Sequence, residues 1–335
     1  MRLAVLGLGF MGATHVRALR NVHGAELAAV YSGDERKLAG DLTAVRGNLG
    51  APFERMDFSG VRKHRDLDAV LADRSIDAID ICLPTWLHDS VAIEAMREGK
   101  HVLVEKPMAL DGFAADRMVN SARRYRRVLM TAHVLRFLPE YAALREAARG
   151  HSLRFAAFRR YCAAPSWSQW LYDTAQSGGG AFDLLVHDVD FCLHLFGMPR
   201  SVSAAGYSDD AAGVDCVAAH LSYADGATVA IEGGWLQSGD LPFTMEYTAC
   251  LDDRTIEYSS HSRAPTLYPS GGGAQPLPLD ARDGYAAEIE YFAECCRTGE
   301  QPERCPAGDS AAAVKLMNLI LQSRSRRGAK LLWTP

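Results

Sequence analysis

Gly7-Leu8-Gly9-Phe10-Met11-Gly12, with the apolar run Leu3 to Leu6 before it and the helical pattern Ala13 to Arg20 after it, decides the fold of the amino-terminal part of the chain. An apolar strand that ends in glycine and reopens as a helix begins a β-α-β unit. Each glycine then has a distinct role: Gly7 permits a tight turn, Gly9 lets a pyrophosphate approach the backbone, and Gly12 lets the helix pack closely on the strand. The phosphates would rest on the helix N-terminus, whose open N–H groups and dipole favour anions. Alone the glycine spacing is weak, because surface turns match it by chance; the strand before it and the helix after it give it weight.

Working outward, short apolar runs alternate with longer helical patterns. Leu3 to Leu6, Leu27 to Tyr31, Ile76 to Leu83, His101 to Val104 and Val128 to Ala132 read as strands; Leu87 to Glu98 and Phe113 to Arg124 read as helices, the second after an Asp111 N-cap. This alternation predicts an α/β Rossmann dinucleotide-binding domain over residues 1–134. Beyond about residue 150 the pattern changes to strands joined by tight turns, as at Asp225-Gly226 between Val214 to Tyr223 and Ala227 to Trp235. Two late helices, Tyr285 to Thr298 and Asp309 to Arg327, each precede a glycine. Residues 135–335 are therefore expected to form an α+β domain with a predominantly antiparallel open sheet, for substrate binding and oligomerisation.

A chain of 335 residues, 48% of them hydrophobic, has the length for two such cores. A net charge of -5 offers no basic footprint for nucleic acid, and no window has the length of a membrane span. The eight cysteines are scattered without a C-x-x-C pair or repeated spacing, and Leu3 to Ala13 carries no A-x-A cleavage pattern, so a cytoplasmic location is expected.

Three further features carry chemistry. At the end of the second strand, where an acidic residue would bind both ribose hydroxyls, stands Ser32, with Arg36 and Lys37 close behind. Absence of a repelling carboxylate favours NADP over NAD, although NAD is not excluded while Asp34 is near. The segment Gly178 to His194 is a helix whose Asp183, His187, Asp190 and His194 share a stripe of about 60° on an otherwise apolar cylinder. That stripe suits an internal hydrogen bond between His187 and Asp190, a metal site, or general acid/base work; the helix alone does not choose among them, and acid/base chemistry is preferred. Glu105-Lys106-Pro107 closes a strand at the carboxyl edge of the sheet, where such folds place ligands.

Together these residues resemble the Gfo/Idh/MocA family (glucose–fructose oxidoreductase, inositol dehydrogenase, rhizopine catabolism) over nearly the whole chain. The markers are the glycine turn, Leu83-Pro84-Thr85-Trp86-Leu87-His88, Glu105-Lys106-Pro107, Gly178 to Asp190 and Glu288-Ile289-Glu290-Tyr291-Phe292. The resemblance implies a nicotinamide-dependent dehydrogenase acting on a secondary alcohol or ketone of a sugar, inositol or related polyol. It gives Lys106, Asp183 and His187 the family's catalytic places and puts Leu83, Pro84, Trp86, His88 and Glu105 near the nicotinamide ribose. Trp167, Trp170 and Asp173, just before the glycine run, would add a stacking wall and a polar contact for a sugar, or else form a structural aromatic cluster. Thr85 and Leu185 depart from the family's usual asparagine and glycine, and Leu185 is expected to fill space beside the catalytic pair. No metal is expected, and the partners implied are a carbohydrate-like small molecule and further copies of the chain, as a homodimer or homotetramer. A non-catalytic dinucleotide-binding sensor or co-repressor is the alternative; it would not require Lys106, Asp183 and His187 together.

Overall fold

Six parallel strands form the first sheet: β1 (Arg2–Leu6), β2 (Glu26–Tyr31), β3 (Arg62–His64), β4 (Ala78–Ile81), β5 (His101–Glu105) and β6 (Leu129–Ala132), in the order β3-β2-β1-β4-β5-β6. The computed structural model in which they occur describes every residue except Asp210, Ala212, Ser238, Asp240, Thr334 and Pro335. All residues of β4 and β6 are buried. Strands covered on both faces need apolar side chains at nearly every position, so these runs do not alternate. The sequence pattern misses β3, and for a physical reason: it is a three-residue edge strand made of Arg62, Lys63 and His64, the charged composition that keeps an edge from pairing further.

Between the strands run α1 (Phe10–Ala18), α2 (Glu35–Leu38), α3 (Leu67–Leu71), α4 (His88–Arg97) and α5 (Gly112–Tyr125). The side chain of Asp111 accepts the Ala114 N–H at 2.9 Å and caps α5, as its position predicts. Strand order reverses between β1 and β4, which opens a crevice at the carboxyl ends of the strands there.

The second sheet is nine-stranded and mostly antiparallel. It follows α6 (Pro139–Ala148) and comprises β7 (Leu153–Ala163), β8 (Ser201–Asp209), β9 (Val214–Ser222), β10 (Thr228–Leu236), β11 (Thr244–Leu251), β12 (Arg254–Ser259), β13 (Arg263–Pro269), β14 (Gln275–Pro276) and β15 (Leu331–Leu332). Its order is β14-β13-β12-β11-β7-β10-β9-β8-β15, and only β7 and β10 pair in parallel among the described residues. At the predicted turn Tyr223 donates its N–H to Ala227 O at 2.9 Å, and Gly226 takes φ +91. Alternate residues of β9 are accessible, as in a sheet with one packed and one open face.

Two helices, α7 (Thr174–Ser177) and α8 (Gly180–Phe196), separate β7 from β8, and α8 packs across β10, β7 and β9. Close approach is possible because Gly180 meets Trp235: a Cβ at Gly180 would lie 2.3 Å from the indole ring. Asp215 on β9 accepts the Ala181 N–H at 2.9 Å and so fixes the first turn of α8.

Two buried arginines hold α8 from below. Arg160 of β7 bonds both carboxylate oxygens of Asp188, at 2.6 and 2.9 Å, and donates to Tyr141 Oη at 3.0 Å. Arg136 bonds both oxygens of Asp190, at 2.8 and 2.7 Å, and lies 3.2 Å from His194 Nδ1. These are fork-to-fork ion pairs in a buried region, where each charge depends on its partner.

The chain ends with α9 (Gly284–Thr298) and α10 (Ala307–Ser325) before β15. By contacts the protein divides into two units, Met1–Val134 with Arg282–Ala311, and Leu135–Ala281 with the chain from Ala312 onward. The segment 282–311 thus belongs with the dinucleotide fold, whereas a division of the sequence after residue 134 assigns it to the other unit. Within that first unit α9 packs on α1, and the Cys305 thiol donates to Thr131 O at 3.2 Å.

Replacing Asp190 by alanine strips Arg136 of its bidentate partner inside the core. Chemical denaturation is expected to record a loss of about 3–5 kcal/mol; a change below about 1 kcal/mol would show that the pair adds little to stability.

Candidate active site

The turn after β1 is closed on one side and open on the other. Gly7 takes φ +92 and donates its N–H to Tyr31 O at 2.9 Å. A Cβ there would lie 2.5 Å from Cys82 O, and one at Gly12 would lie 1.8 Å from Gly7 O, so neither position admits a side chain. A Cβ at Gly9 would meet nothing within 4 Å. Gly9 is also the N-cap of α1, with no side chain capping it and no acidic residue in the first turn. An open, positively poled helix start with a bare glycine before it is a cradle that fits a pyrophosphate. Phe10 packs edge-on against Phe53 with centroids 6.0 Å apart, and Met11 is half-buried.

At the end of β2, Ser32 is buried and its hydroxyl accepts the Asp34 N–H at 3.1 Å. Asp34 is itself committed as the N-cap of α2, accepting from the Arg36 and Lys37 N–H groups at 2.8 and 3.4 Å. The exposed guanidinium of Arg36 pairs with Asp41 at 3.0 Å.

The loops after β4 and β5 are tied together by His88. Its Nδ1 lies 2.9 Å from Pro107 O and its Nε2 2.8 Å from Leu83 O, and burial pushes its pKa down against the pull of both carbonyls. His88 is thus a buried brace, while Leu83 and Pro84 remain half-buried and Trp86 exposed beside it. Glu105, at the end of β5, is buried and accepts the Lys106 N–H at 2.9 Å; the Lys106 side chain is half-buried.

Behind Glu105 lies a cluster that sequence reasoning does not assemble. His15 of α1 stands with Nδ1 2.8 Å from Asp80 Oδ2 and Nε2 3.1 Å from Glu105 Oε1; the second contact is an ion pair rather than an aligned hydrogen bond. Burial lowers the basicity of the imidazole, but the Asp80 carboxylate against Nδ1 outweighs it and holds the pKa well above its ordinary value. The available signal was an aspartate inside the fully buried strand Ala78–Ile81, which needs a partner, and a histidine in the first helix able to supply one.

In the second unit, every residue of α8 from Gly180 to Leu193 is buried except Asp183 and His187. They are one turn apart on one face. The stripe read from the sequence therefore splits: Asp183 and His187 stay accessible, while Asp190 and His194 join the buried Arg136. Leu185 does not fill space beside them. It is 1% exposed and faces Gly233 of β10, where a Cβ would come within 2.9 Å of its Cδ2. Trp167 is exposed, Trp170 half-buried, and exposed Asp173 caps α7 through the Ala175 N–H at 3.0 Å.

A switch-point crevice, a glycine turn at a helix start and a strand-end lysine define a dinucleotide-binding oxidoreductase of Rossmann type. The chain belongs to the GFO/IDH/MocA family: residues 1–133 match "Oxidoreductase family, NAD-binding Rossmann fold" and residues 142–251 match "GFO/IDH/MocA C-terminal domain". It is 27% identical to UDP-N-acetylglucosamine 3-dehydrogenase of Acidithiobacillus ferrooxidans, covering 97% of this chain and 96% of that one. A solved structure of that enzyme shares the fold, with TM-score 0.78 at 24% identity over 96% and 97% of the two chains. D-xylose 1-dehydrogenase (NADP(+)) 2 of Haloferax volcanii is 26% identical over 96% and 97%. scyllo-Inositol 2-dehydrogenase (NAD(+)) of Bacillus subtilis is 27% identical over 90% and 88%.

Because Gly9 has φ -78 and open space around it, Gly9→Ala is expected to fold with an unchanged melting temperature. Its methyl group would stand in the approach to the helix start, so cofactor affinity by fluorescence titration should fall about tenfold or more. Undiminished binding would separate the turn from the cofactor.

Proposed function

We propose that the protein is a cytoplasmic NADP-preferring dehydrogenase, able to use NAD, that interconverts a secondary alcohol and a ketone on a sugar, inositol or related polyol. The observation that carries this reading is the pair Asp183 and His187, the two accessible side chains on the buried stretch of α8, in a chain that also has Lys106 at the end of β5. The names of its relatives, dehydrogenases of a nucleotide sugar, a pentose and an inositol, support the substrate class.

A nicotinamide cofactor held at the turn Gly7 to Gly12 and by the loops after β4 and β5 would supply hydride exchange with the carbinol or carbonyl carbon. His187 takes the hydroxyl proton in oxidation and gives it back in reduction, since an imidazole titrates near neutral pH. The Lys106 ammonium hydrogen-bonds the same oxygen and stabilises its developing negative charge. Asp183 orients the substrate. Trp167 and Trp170 supply apolar faces for a sugar ring, and Asp173 a polar contact beyond its capping bond. Preference for NADP rests on Ser32, on the commitment of Asp34 to its own helix, and on Arg36 and Lys37 following. The open face of the second sheet suits pairing with another copy of the chain, to give a dimer or tetramer; a monomer by light scattering would remove that part.

His187→Ala and Lys106→Ala are expected to bind NADPH as the parent does and to lose turnover by about a hundredfold or more, in a screen of sugars, inositols and polyols followed at 340 nm. Full turnover in either variant removes that residue from the mechanism, and tighter binding of NADH than NADPH overturns the cofactor preference.

A further inference from the structure

We infer that His15 is a positioning residue for Lys106: held by Asp80, its ring fixes the Glu105 carboxylate, which in turn accepts the backbone N–H of Lys106. This rests on the role proposed for Lys106.

The connection runs through three elements, its step from His15 to Glu105 being an ion pair. Asp80 of β4 lies 2.8 Å from His15 Nδ1 on α1, and His15 Nε2 lies 3.1 Å from Glu105 Oε1 at the end of β5. The other oxygen of Glu105 takes the Lys106 N–H at 2.9 Å. Side-chain exposure is 0% for His15 and Asp80 and 7% for Glu105, so bulk water does not compete for these contacts. Both ring nitrogens face carboxylates, which makes the imidazole a linker between two anions rather than a vacant metal ligand.

The other groups that the structure places beside the ring are a thiol, a phenol and a carboxyl group. Cys82, just beyond β4, places Sγ 3.6 Å from Nδ1 and 3.5 Å from Asp80 Oδ1, and burial keeps the thiol protonated. From α9, the Tyr285 ring centroid stands 6.1 Å from that of His15. Glu288, also of α9, is fully buried with no hydrogen-bond partner for either oxygen among the described residues, and burial holds its carboxyl well above the usual range. Arg304 is the further cation that acts on Glu288. His15 thus sets a cationic ring against both Asp80 and Glu105.

Removing that cation leaves Glu105 as a buried anion facing another. Its carboxylate must then turn or take up a proton, and the amide of Lys106 loses a fixed acceptor. The ammonium of Lys106 would move with its backbone, and small displacements of a group that must meet a reacting oxygen are expensive. His15 is also three residues past Gly12 on the helix that starts at the glycine turn, so the same ring couples that helix to the Lys106 turn.

The test is a double-mutant cycle with His15→Gln and Glu105→Gln, near-isosteric and uncharged. His15→Gln is expected to change the NADPH dissociation constant less than about threefold while kcat falls about tenfold or more. The double variant should be no slower than the slower single variant, because one residue acts through the other. A basic limb of the kcat–pH profile should also disappear in His15→Gln: glutamine imitates the deprotonated ring, and in the parent the ion pair is lost as pH rises through the raised pKa of His15. Parent-like kcat, additive losses in the cycle, or a loss confined to cofactor affinity each overturns the proposal. If His15→Gln does not fold, Asp80→Asn is read for the same split between kcat and binding, and failure of both to fold makes the cluster a core element only, which also overturns it. Full turnover in Lys106→Ala would instead remove the mechanism on which the inference rests.

Discussion

The approach of α1 to the turn after β1 constrains everything built on the first sheet. With only hydrogen at Gly12, the helix comes so near that an added Cβ would sit 1.8 Å from Gly7 O, and Gly7 in turn lies against Cys82 at the end of β4. That closeness aims the open helix start along the crevice between β1 and β4. It also carries His15 on the next turn of the helix into the space behind Asp80 and Glu105. One steric condition thus shapes both the phosphate cradle and the charge cluster beneath it.

A second constraint is the management of charge away from bulk water. Each unit buries carboxylates on one element and offsets them with a cation from another: His15 between Asp80 and Glu105 in the first, Arg136 on Asp190 and Arg160 on Asp188 in the second. A desolvated ion pair is a weak source of stability but an effective fixer of geometry, because any rotation exposes an unpaired charge to an apolar surrounding. On α8 the two pairs fix the rotation of the helix about its axis. Asp183 and His187 are left as the accessible residues of that stretch because Asp188 and Asp190 are anchored on its buried sides.

Much of this was legible in the sequence. Apolar runs located five of the six parallel strands, and β3 escaped because edge position favours charge over apolarity. Capping predicted the start of α5, and the Asp225-Gly226 turn predicted the β9–β10 hairpin. The ionisable stripe on α8 was visible as a period, but a period cannot assign partners. Nothing local distinguishes Asp183, which is accessible, from Asp190, which is bound by an arginine 54 residues earlier. For the same reason Leu185 read as an intrusion beside the stripe, although it faces Gly233 on a strand far along the chain.

The sequence by itself determined the apolar strands of the first sheet, the glycine turn and the family, since each depends on residues within one or two turns of one another or on spacings carried by the chain. The tertiary structure decided which partners the buried polar groups take. It committed Asp34 to a cap, His88 to a brace and Asp190 to Arg136, brought residues 282–311 back to the dinucleotide fold, and joined His15 to Lys106 through Glu105. The physical reason is that a buried charge must find its partner in space, and the partner's distance along the chain carries no cost that a sequence pattern records.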